Sequence, residues 1–278
     1  MKIDTHVHIT PPDIINNWEK YAESEPYFSL ISHSKVNKFA KAEEVIASME
    51  SDNITRSVVF GFAFRDMGLC RFVNDYVIES INKFPDKLTG FAVVSPCNKE
   101  SVKEIERCYK AGLKGIGELF PEGQGFSLDI KKETDAVTSI CKELDIPVML
   151  HANEPVGHLY PGKTNVTLKQ LETFIVNNPE LKIILAHFGG GLFFYETMNE
   201  VKESFINVFY DTAISPFLYN SKIYNVIKTL ALCDKILFGS DFPILKPSRY
   251  FSDIENSGLS EDEKQLIYAE NAKRLLGL

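Results

Sequence analysis

An alternation of short apolar runs with longer amphipathic segments is the feature that most constrains the fold of this chain. Eight runs rich in branched and aromatic residues recur along it, namely KIDTHVH, SVVFGF, LTGFAVVS, KGIGEL, PVMLHA, KIILAH, NVFYDT and KILFGSD. Segments with helical periodicity, such as KAEEVIASMES and FVNDYVIESINKF, lie between them. Near-continuous apolar strands separated by amphipathic helices are typical of a parallel sheet that is covered by helices.

Eight such units predict a closed (β/α)8 TIM barrel rather than an open sheet. No linker, low-complexity tract or charge block interrupts the 278 residues, so we expect one barrel domain over residues 1–278. The segment 13–37, which contains NNWEKYAESEPYFSL, predicts a long irregular loop insertion after the first strand. The stretch SEDEKQLIYAENAKRLL predicts a terminal helix, with Ser260 as its N-cap and Glu263 three residues later.

Composition narrows the class of partner. A hydrophobic fraction of 44% and a charged fraction of 24% are ordinary for a globular protein. The formal net charge of −8 argues against a broad surface for nucleic acid or acidic membranes, and a small-molecule substrate is the expected partner. The apolar runs are too short to span a membrane, and the chain start lacks the features of a signal peptide, so a cytoplasmic location is expected. Five dispersed cysteines without CxxC spacing indicate reduced, mostly buried thiols.

The first apolar run ends in DTHVH, which places two of the six histidines on alternate residues. Side chains at i and i+2 of a strand point the same way, so His6 and His8 are expected to share one face. A half-buried strand usually carries Val, Ile or Thr at such positions, because polar groups that face a core need partners. Two imidazoles on one face therefore indicate a ligand that binds both.

More polar residues stand at or just past the ends of the other runs. In barrels of this type the active site lies at the carboxyl ends of the strands. The candidates there are His6, His8, Glu118, His151, His187 and Asp241. Imidazole nitrogens and carboxylate oxygens are ligands of Zn²⁺ and related divalent ions. The pattern therefore predicts a site for Zn²⁺ or a similar divalent metal, with one or two ions.

Each candidate also has a second interpretation when it is taken alone. His151 fits a hydrogen-bonded core histidine, Asp241 fits a cap for the following segment, and Glu118 fits a buried carboxylate held by a backbone donor or a lysine. HxH by itself is a short and weak pattern. The joint placement at strand ends favours the metal site.

Other residues have open roles. Asp4 either accepts a hydrogen bond from a ligand histidine or is bonded to the backbone or to a lysine. Loop residues that either bind substrate or are simply solvated are Arg65, Arg71, His158 and Tyr160. An aromatic cluster in the insertion either walls the pocket, contacts the partner in a homodimer, or packs on the barrel; it consists of Trp18, Tyr27 and Phe28.

The motifs DTHVH, GIGEL, VMLHA, ILAHFGG, FYDT, ILFGSDFP and ENAKRLLGL, in this order over nearly the whole chain, resemble the amidohydrolase superfamily. The resemblance is closer to its amidohydrolase-related (amidohydrolase 2) branch of metal-dependent TIM-barrel enzymes. It implies that the metal-binding positions are His6, His8, His151 and Asp241. It also implies that His187 activates or positions the metal-bound water, or binds a second metal.

That branch includes hydrolases, hydratases and decarboxylases resembling the aminocarboxymuconate semialdehyde enzyme. Glu118 departs from the decarboxylase-like members and is similar to the bridging acid of binuclear barrel hydrolases. The expected activity is therefore hydrolysis of a small amide, ester or lactone by metal-activated water, with Asp241 taking the proton of that water. The alternative is a metal-dependent non-oxidative decarboxylase of an unsaturated or aromatic acid. A metal-binding protein without catalysis is a third and weaker interpretation.

Overall fold

A computed structural model describes residues 1–278 and contains all eight predicted strands. Each strand overlaps the apolar run that predicts it, and β2 begins one residue earlier, at Arg56. All of the strand pairings are parallel. The strands are β1 (Ile3–His8), β2 (Arg56–Phe60), β3 (Leu88–Gly90), β4 (Ile116–Leu119), β5 (Val148–Leu150), β6 (Ile183–Leu185), β7 (Val208–Asp211) and β8 (Ile236–Leu237).

The strands close into a ring. β1 to β3 pair in chain order, and so do β4 to β8. Between β3 and β4, the Ala92 amide donates to the Gly115 carbonyl over 2.9 Å, and the Gly117 amide donates to the Ala92 carbonyl over 2.8 Å. Between β8 and β1, the Thr5 amide donates to the Phe238 carbonyl over 2.8 Å. Because hydrogen bonds cross both seams, the predicted (β/α)8 barrel is confirmed.

Helices lie between successive strands, and the amphipathic segments named above are helical. The helices are α1 (Pro12–Asn16), α2 (Trp18–Ala22), α3 (Pro26–Ser32), α4 (Ala42–Asp52), α5 (Met67–Lys83), α6 (Ser101–Lys110), α7 (Pro121–Gln124), α8 (Lys131–Glu143), α9 (Leu168–Asn177), α10 (Asn199–Ser204), α11 (Ser215–Leu218), α12 (Ile223–Thr229), α13 (Ser248–Glu255), α14 (Glu261–Gln265) and α15 (Asn271–Leu276). Two 3-10 segments cover His187–Thr197 and Cys233–Lys235.

The insertion after β1 is not the irregular loop that its sequence predicts, because it folds into α1, α2 and α3. α1 and α3 begin with Pro12 and Pro26, at the position where proline's missing amide costs no hydrogen bond. Phe28 of α3 is 2% exposed, and its ring lies 5.0–5.1 Å from those of Phe62 and Phe64. Phe28 is therefore a packing residue. Helices of five to seven residues are too short to display an amphipathic period.

The predicted terminal helix is present, and its cap has the expected form. The Ser260 hydroxyl accepts from the Glu263 amide over 3.2 Å, and the Glu263 carboxylate accepts from the Ser260 amide over 2.7 Å. A π turn over Leu266–Glu270 joins α14 to α15.

An apolar cluster fills the lower part of the barrel. It joins side chains from opposite sides of the ring, among them Val58, Met149 and Leu237, with Leu275 of α15. Side chains of non-adjacent strands meet only inside a barrel. Apolar side chains therefore fill the interior below the carboxyl ends of the strands. The polar donor residues predicted from the sequence stand above this layer, at the carboxyl ends themselves.

The cysteines are all free thiols, and Cys97 alone is exposed. None of the helices has the length and apolar character needed to cross a bilayer.

Candidate metal centre

The structure brings all six predicted donor residues together at the carboxyl ends of the strands. They form two groups, and within each group one donor atom per residue lies within 4.8 Å of the others. Group one is His6, His8 and Asp241, and group two is Glu118, His151 and His187.

Glu118 belongs to group two and also faces group one. Its Oε2 atom is 3.6 Å from His6 Nε2 and 3.7 Å from His8 Nε2. Its Oε1 atom is 2.9 Å from His151 Nδ1 and 3.4 Å from His187 Nε2. One carboxylate therefore faces donor nitrogens of both groups.

Hydrogen bonds on the outer side of the rings fix the tautomers in group two. A carbonyl oxygen only accepts, so His151 Nε2 donates to Gly162 O over 2.9 Å and His187 Nδ1 donates to Ala213 O over 3.1 Å. The other nitrogen of each ring, His151 Nδ1 and His187 Nε2, faces Glu118 and is the one left to bind a metal. Such outer hydrogen bonds are a regular feature of metal-binding histidines.

Two buried atoms in group one have no hydrogen-bond partner: His6 Nε2 and Asp241 Oδ1. They lie 3.9 Å apart, and Asp241 Oδ1 is 3.4 Å from His8 Nε2. A buried polar atom without a partner is costly, and a cation between these atoms would satisfy both. The donors are imidazole nitrogens and carboxylate oxygens, so the residues fit a divalent metal.

The ionisation of the cluster also favours a cation. Burial lowers the pKa of His6, but the negative charges of Asp211, Glu118 and Asp241 outweigh it and hold that pKa well above its usual value. Burial also lowers the pKa of His187, but the hydrogen bond to Glu118 and the negative charge of Glu118 outweigh burial and raise that pKa to about 9. Burial raises the pKa of Glu118, but His6 and His151 hold it well below its usual value.

The pKa values of the remaining two histidines move the other way, since burial lowers the pKa of both His8 and His151. The site thus mixes neutral and protonated imidazoles around the ionised Glu118 carboxylate. Metal binding would displace the protons that His6 and His187 carry.

Unusual backbone conformations place two of the donors. His187 and Asp241 both follow strand ends and have φ values of 58° and 60°, in the left-handed region. The chain stays in that region from His187 through Gly191, so the HFGGG stretch is a tight turn. This turn aims the His187 ring back across the mouth of the barrel.

Aromatic rings line the cluster. Phe120 stacks on His151 with ring centroids 3.8 Å apart, and Tyr27 of α3 lies 4.5 Å from Phe120. Phe60 meets the His8 ring edge-on at 4.7 Å. The His8 side chain is 25% exposed, against 8% or less for the other five, so the site opens beside His8.

The remaining sequence candidates lie outside the donor cluster. Arg71 pairs with Glu104 over 3.3 Å, and the Tyr160 hydroxyl donates to Glu154 over 2.7 Å. Arg65 and His158 are exposed loop residues. Trp18 packs edge-on against His33, with ring centroids 4.8 Å apart.

Asp4 binds the loop that carries Asp241 rather than a histidine ring. Its Oδ1 accepts from the amides of Ser240 and His6 over 2.9 and 3.3 Å, and its Oδ2 accepts from the Ser240 hydroxyl. Burial raises the pKa of Asp4 to about 7. Of the two roles open to Asp4, the structure therefore has the one bonded to the backbone.

The sequence interpretation misses three residues of the site: Phe60, Phe120 and Asp211. Asp211 Oδ2 accepts a hydrogen bond from His6 Nδ1 over 2.8 Å. All three stand at or just past strand ends, as the donors do. Asp211 also lies within FYDT, so a strict search of strand ends for acids would have found it.

Comparison with known proteins identifies relatives over the whole chain. The family model described as Amidohydrolase matches residues 3–278. Gamma-resorcylate decarboxylase of Polaromonas sp. (strain JS666 / ATCC BAA-500) is 26% identical over 253 residues, which cover 75% of this chain and 76% of that protein. The 2-amino-3-carboxymuconate-6-semialdehyde decarboxylase of Dictyostelium discoideum is 25% identical over 338 residues, which cover 100% of this chain and 92% of that protein.

A solved structure shares the fold. The dihydroxybenzoic acid decarboxylase from Polaromonas sp. JS666, with bound manganese and the inhibitor 2-nitroresorcinol, superposes with a TM-score of 0.74. It is 20% identical, and the match covers 100% of this chain and 97% of that one. Together with the donor groups, the manganese of that protein supports a divalent metal here without specifying zinc.

These relatives show that the prediction of a hydrolase is wrong. Both relatives are decarboxylases, which agrees with the alternative. The error has a physical reason: the hydrolase interpretation rested on Glu118, but a set of nitrogen and oxygen donors determines which ion binds, not which bond of the substrate breaks.

Proposed function

Because this chain belongs to the amidohydrolase family, we propose that it is a metal-dependent non-oxidative decarboxylase of a hydroxylated aromatic carboxylic acid. The chain is an enzyme of the amidohydrolase superfamily. Decarboxylation is the reaction that we propose it catalyses. The observation that carries it is that both relatives are decarboxylases, one of them aligned over 100% of this chain.

The residues that would hold the metal are the donors of group one, which Glu118 of group two faces; His151 and His187 would complete a site for a second ion. Zn²⁺ and Mn²⁺ both suit this donor set. When bound, a divalent ion supplies positive charge that binds and orients oxygen atoms of the substrate. The remaining chemistry belongs to side chains of the protein.

Asp241 is the acid in this proposal. Its Oδ1 atom is buried without a hydrogen-bond partner, 3.4 Å from His8 at the open side of the cluster. The Asp241 carboxylate takes up a proton from solvent at the open side beside His8 and then, as a carboxyl, gives it to the ring carbon that bears the carboxylate. The bond from that carbon to the carboxylate then breaks, its electron pair returns to the ring, and CO₂ leaves. The ring carbon keeps the proton, so the reaction needs no oxidant or reductant.

The surroundings suit a flat, apolar ring. Phe120 is 7% exposed and stacks on His151, whereas Phe60 is 0% exposed and packs against the His8 ring from within the core. Tyr27 packs on Phe120 and donates to Gly162 O over 3.4 Å, which closes this side of the site. Aromatic walls favour an aromatic substrate and exclude water from the reacting carbon.

The test is turnover of a panel of hydroxybenzoic acids labelled with ¹³C in the carboxylate, with an unsaturated dicarboxylic acid included. Metal-loaded protein is expected to release labelled CO₂ and, in D₂O, to leave one deuterium at the carbon that lost it. Asp241→Asn should reduce this rate by roughly 100-fold or more, within the range of general acid catalysis. The exposed Asp234→Asn is the matched control. Absence of CO₂ from every acid of the panel would contradict the proposal.

A further inference from the structure

We propose that Asp211 is a positioning residue that holds both donor groups of the metal centre in their ligating form. It lies at the end of β7 and contributes no atom to either group. The inference rests on the metal site of the proposed function but not on the reaction.

The first contact of Asp211 fixes the ring of His6. Asp211 is 0% exposed, and its Oδ2 accepts from His6 Nδ1 over 2.8 Å. This bond places a ring proton on Nδ1, so Nε2, which faces Glu118 and Asp241, is the nitrogen left to bind a metal. A carboxylate behind a ligand histidine also makes the imidazole a stronger donor. Gly239 leaves room for the pair, because a Cβ there would lie 2.8 Å from His6 Cβ and 3.3 Å from Asp211 Cβ.

The second contact of Asp211 fixes the backbone beside group two. Asp211 Oδ1 accepts from the His187 amide over 2.9 Å and from the Ala213 amide over 3.0 Å. His187 has a φ of 58°. This conformation costs a histidine free energy, so it persists only where contacts with the surrounding structure impose it. The Ala213 carbonyl in turn accepts from the His187 ring. One carboxylate therefore braces a donor from each group.

If Asp211 had a structural role alone, Asp211→Asn would leave the His6 tautomer unchanged. If Asp211 served only to satisfy backbone amides, the amide oxygen of an asparagine would accept both bonds equally well. The NH₂ group of that asparagine would then face His6 Nδ1 as a donor. His6 would have to accept there and carry its proton on Nε2, where it occupies the lone pair aimed at the metal. Turning the amide round would instead remove the acceptor from the His187 and Ala213 amides.

The experiment compares wild type, Asp211→Asn and a matched control, Tyr210→Phe, each loaded with Zn²⁺ and labelled with ¹⁵N in its histidines. The control removes a buried 2.8 Å hydrogen bond, from Tyr210 to Glu196, on the same strand and leaves the donor groups intact. NMR correlation spectra report which ring nitrogen carries the proton, and competition with a chelator reports Zn²⁺ affinity. His6→Gln identifies the His6 signals.

Wild type and the control are expected to show a proton on His6 Nδ1. Asp211→Asn is expected to lose that signal and to bind Zn²⁺ about 10- to 100-fold more weakly. An Asp211→Asn protein that keeps the signal and wild-type affinity would overturn the proposal. Should that variant fail to fold, the wild type still decides, because an unprotonated His6 Nδ1 in the Zn²⁺-loaded protein also overturns it. Neither measurement uses turnover, so this proposal and the decarboxylase proposal succeed or fail separately.

Discussion

At the scale of single residues, Glu118 is the side chain on which we base a prediction of the number of metal ions. Its two oxygens face ring nitrogens of different donor groups: Oε2 lies 3.6 Å from His6 Nε2, and Oε1 lies 2.9 Å from His151 Nδ1. A carboxylate in that position can bridge two ions, as in two-metal sites. We predict two ions per chain in the wild type and a fall toward one in Glu118→Gln, because an amide offers a single acceptor oxygen.

Elemental analysis of dialysed protein measures this stoichiometry. Glu122→Gln is the control, because Glu122 lies in α7 shortly after β4, accepts from the Asn165 amide and is no member of either donor group. A single ion in wild type and variant alike would rule out the bridging role.

The histidines predict how metal affinity depends on pH. The pKa of His187 is raised to about 9, and that of His6 is also raised, so both carry protons in the metal-free protein at pH 7. A metal binds only the deprotonated rings, so affinity should rise from pH 7 to 9, by about tenfold per pH unit for each proton displaced. Proton release on adding Zn²⁺ in weak buffer checks this directly. Binding at pH 7 without released protons would contradict it.

The raised pKa of His187 has the opposite effect on the stability of the metal-free fold. Because the folded-state pKa of His187 lies above 6.5, its protonation stabilises the fold fully below that pH, and this contribution is lost as the pH rises through about 9. Raising the pH therefore lowers the stability of the metal-free fold while it raises the affinity for the metal.

At the scale of elements, the parts set by long periodic patterns could be predicted from the sequence and the parts set by tertiary contact could not. The eight strands and the long helices follow from apolar runs and helical periods. The helices of the insertion leave no such trace, because they are too short. In β1 and β4 the register shifts, between Asp4 and Val7 and between Ile116 and Leu119. Strict alternation therefore fails to give the orientation of Asp4 and Glu118.

The candidate site divides in the same way. The positions of the six donors at strand ends follow from the barrel, so proximity could be predicted. The role of Asp211 could not, because an acid at the end of a strand reads the same whether it faces a metal or the back of a histidine. Only the distances to His6 and His187 separate these roles.

β4 provides a prediction on backbone geometry. Gly117 has a φ of +122°, and a Cβ there would lie 2.3 Å from Met149 O of β5. Gly117→Ala should therefore lower the free energy of unfolding by more than the roughly 1 kcal/mol typical of alanine in a positive-φ conformation. Gly277→Ala is the matched control, with a φ of +62° and no neighbour within 4 Å. Denaturant unfolding of both variants measures the difference. Equal losses would show that β4 moves to relieve the clash.

At the scale of the whole molecule, the donors tie together strands that are distant in the chain. They come from the ends of β1, β4, β5, β6 and β8. The short bridges that close the ring join Ala92, after β3, to β4 and Phe242, after β8, to β1. An unfolded chain cannot bring these donors together. A bound ion therefore favours the closed barrel over every open form.

This convergence predicts that metal stabilises the whole fold and not only the mouth of the barrel. An ion at a free concentration 100 times its dissociation constant should add about 2.7 kcal/mol to the free energy of unfolding. For a chain of this size that corresponds to a rise in Tm of roughly 5 °C. Thermal unfolding with saturating Mn²⁺ or Zn²⁺, compared with chelator-treated protein, measures the effect. A double variant, His6→Gln with His151→Gln, removes one donor of each group and should abolish the rise. A rise that persists in that variant would mean that the ion stabilises the protein from another site.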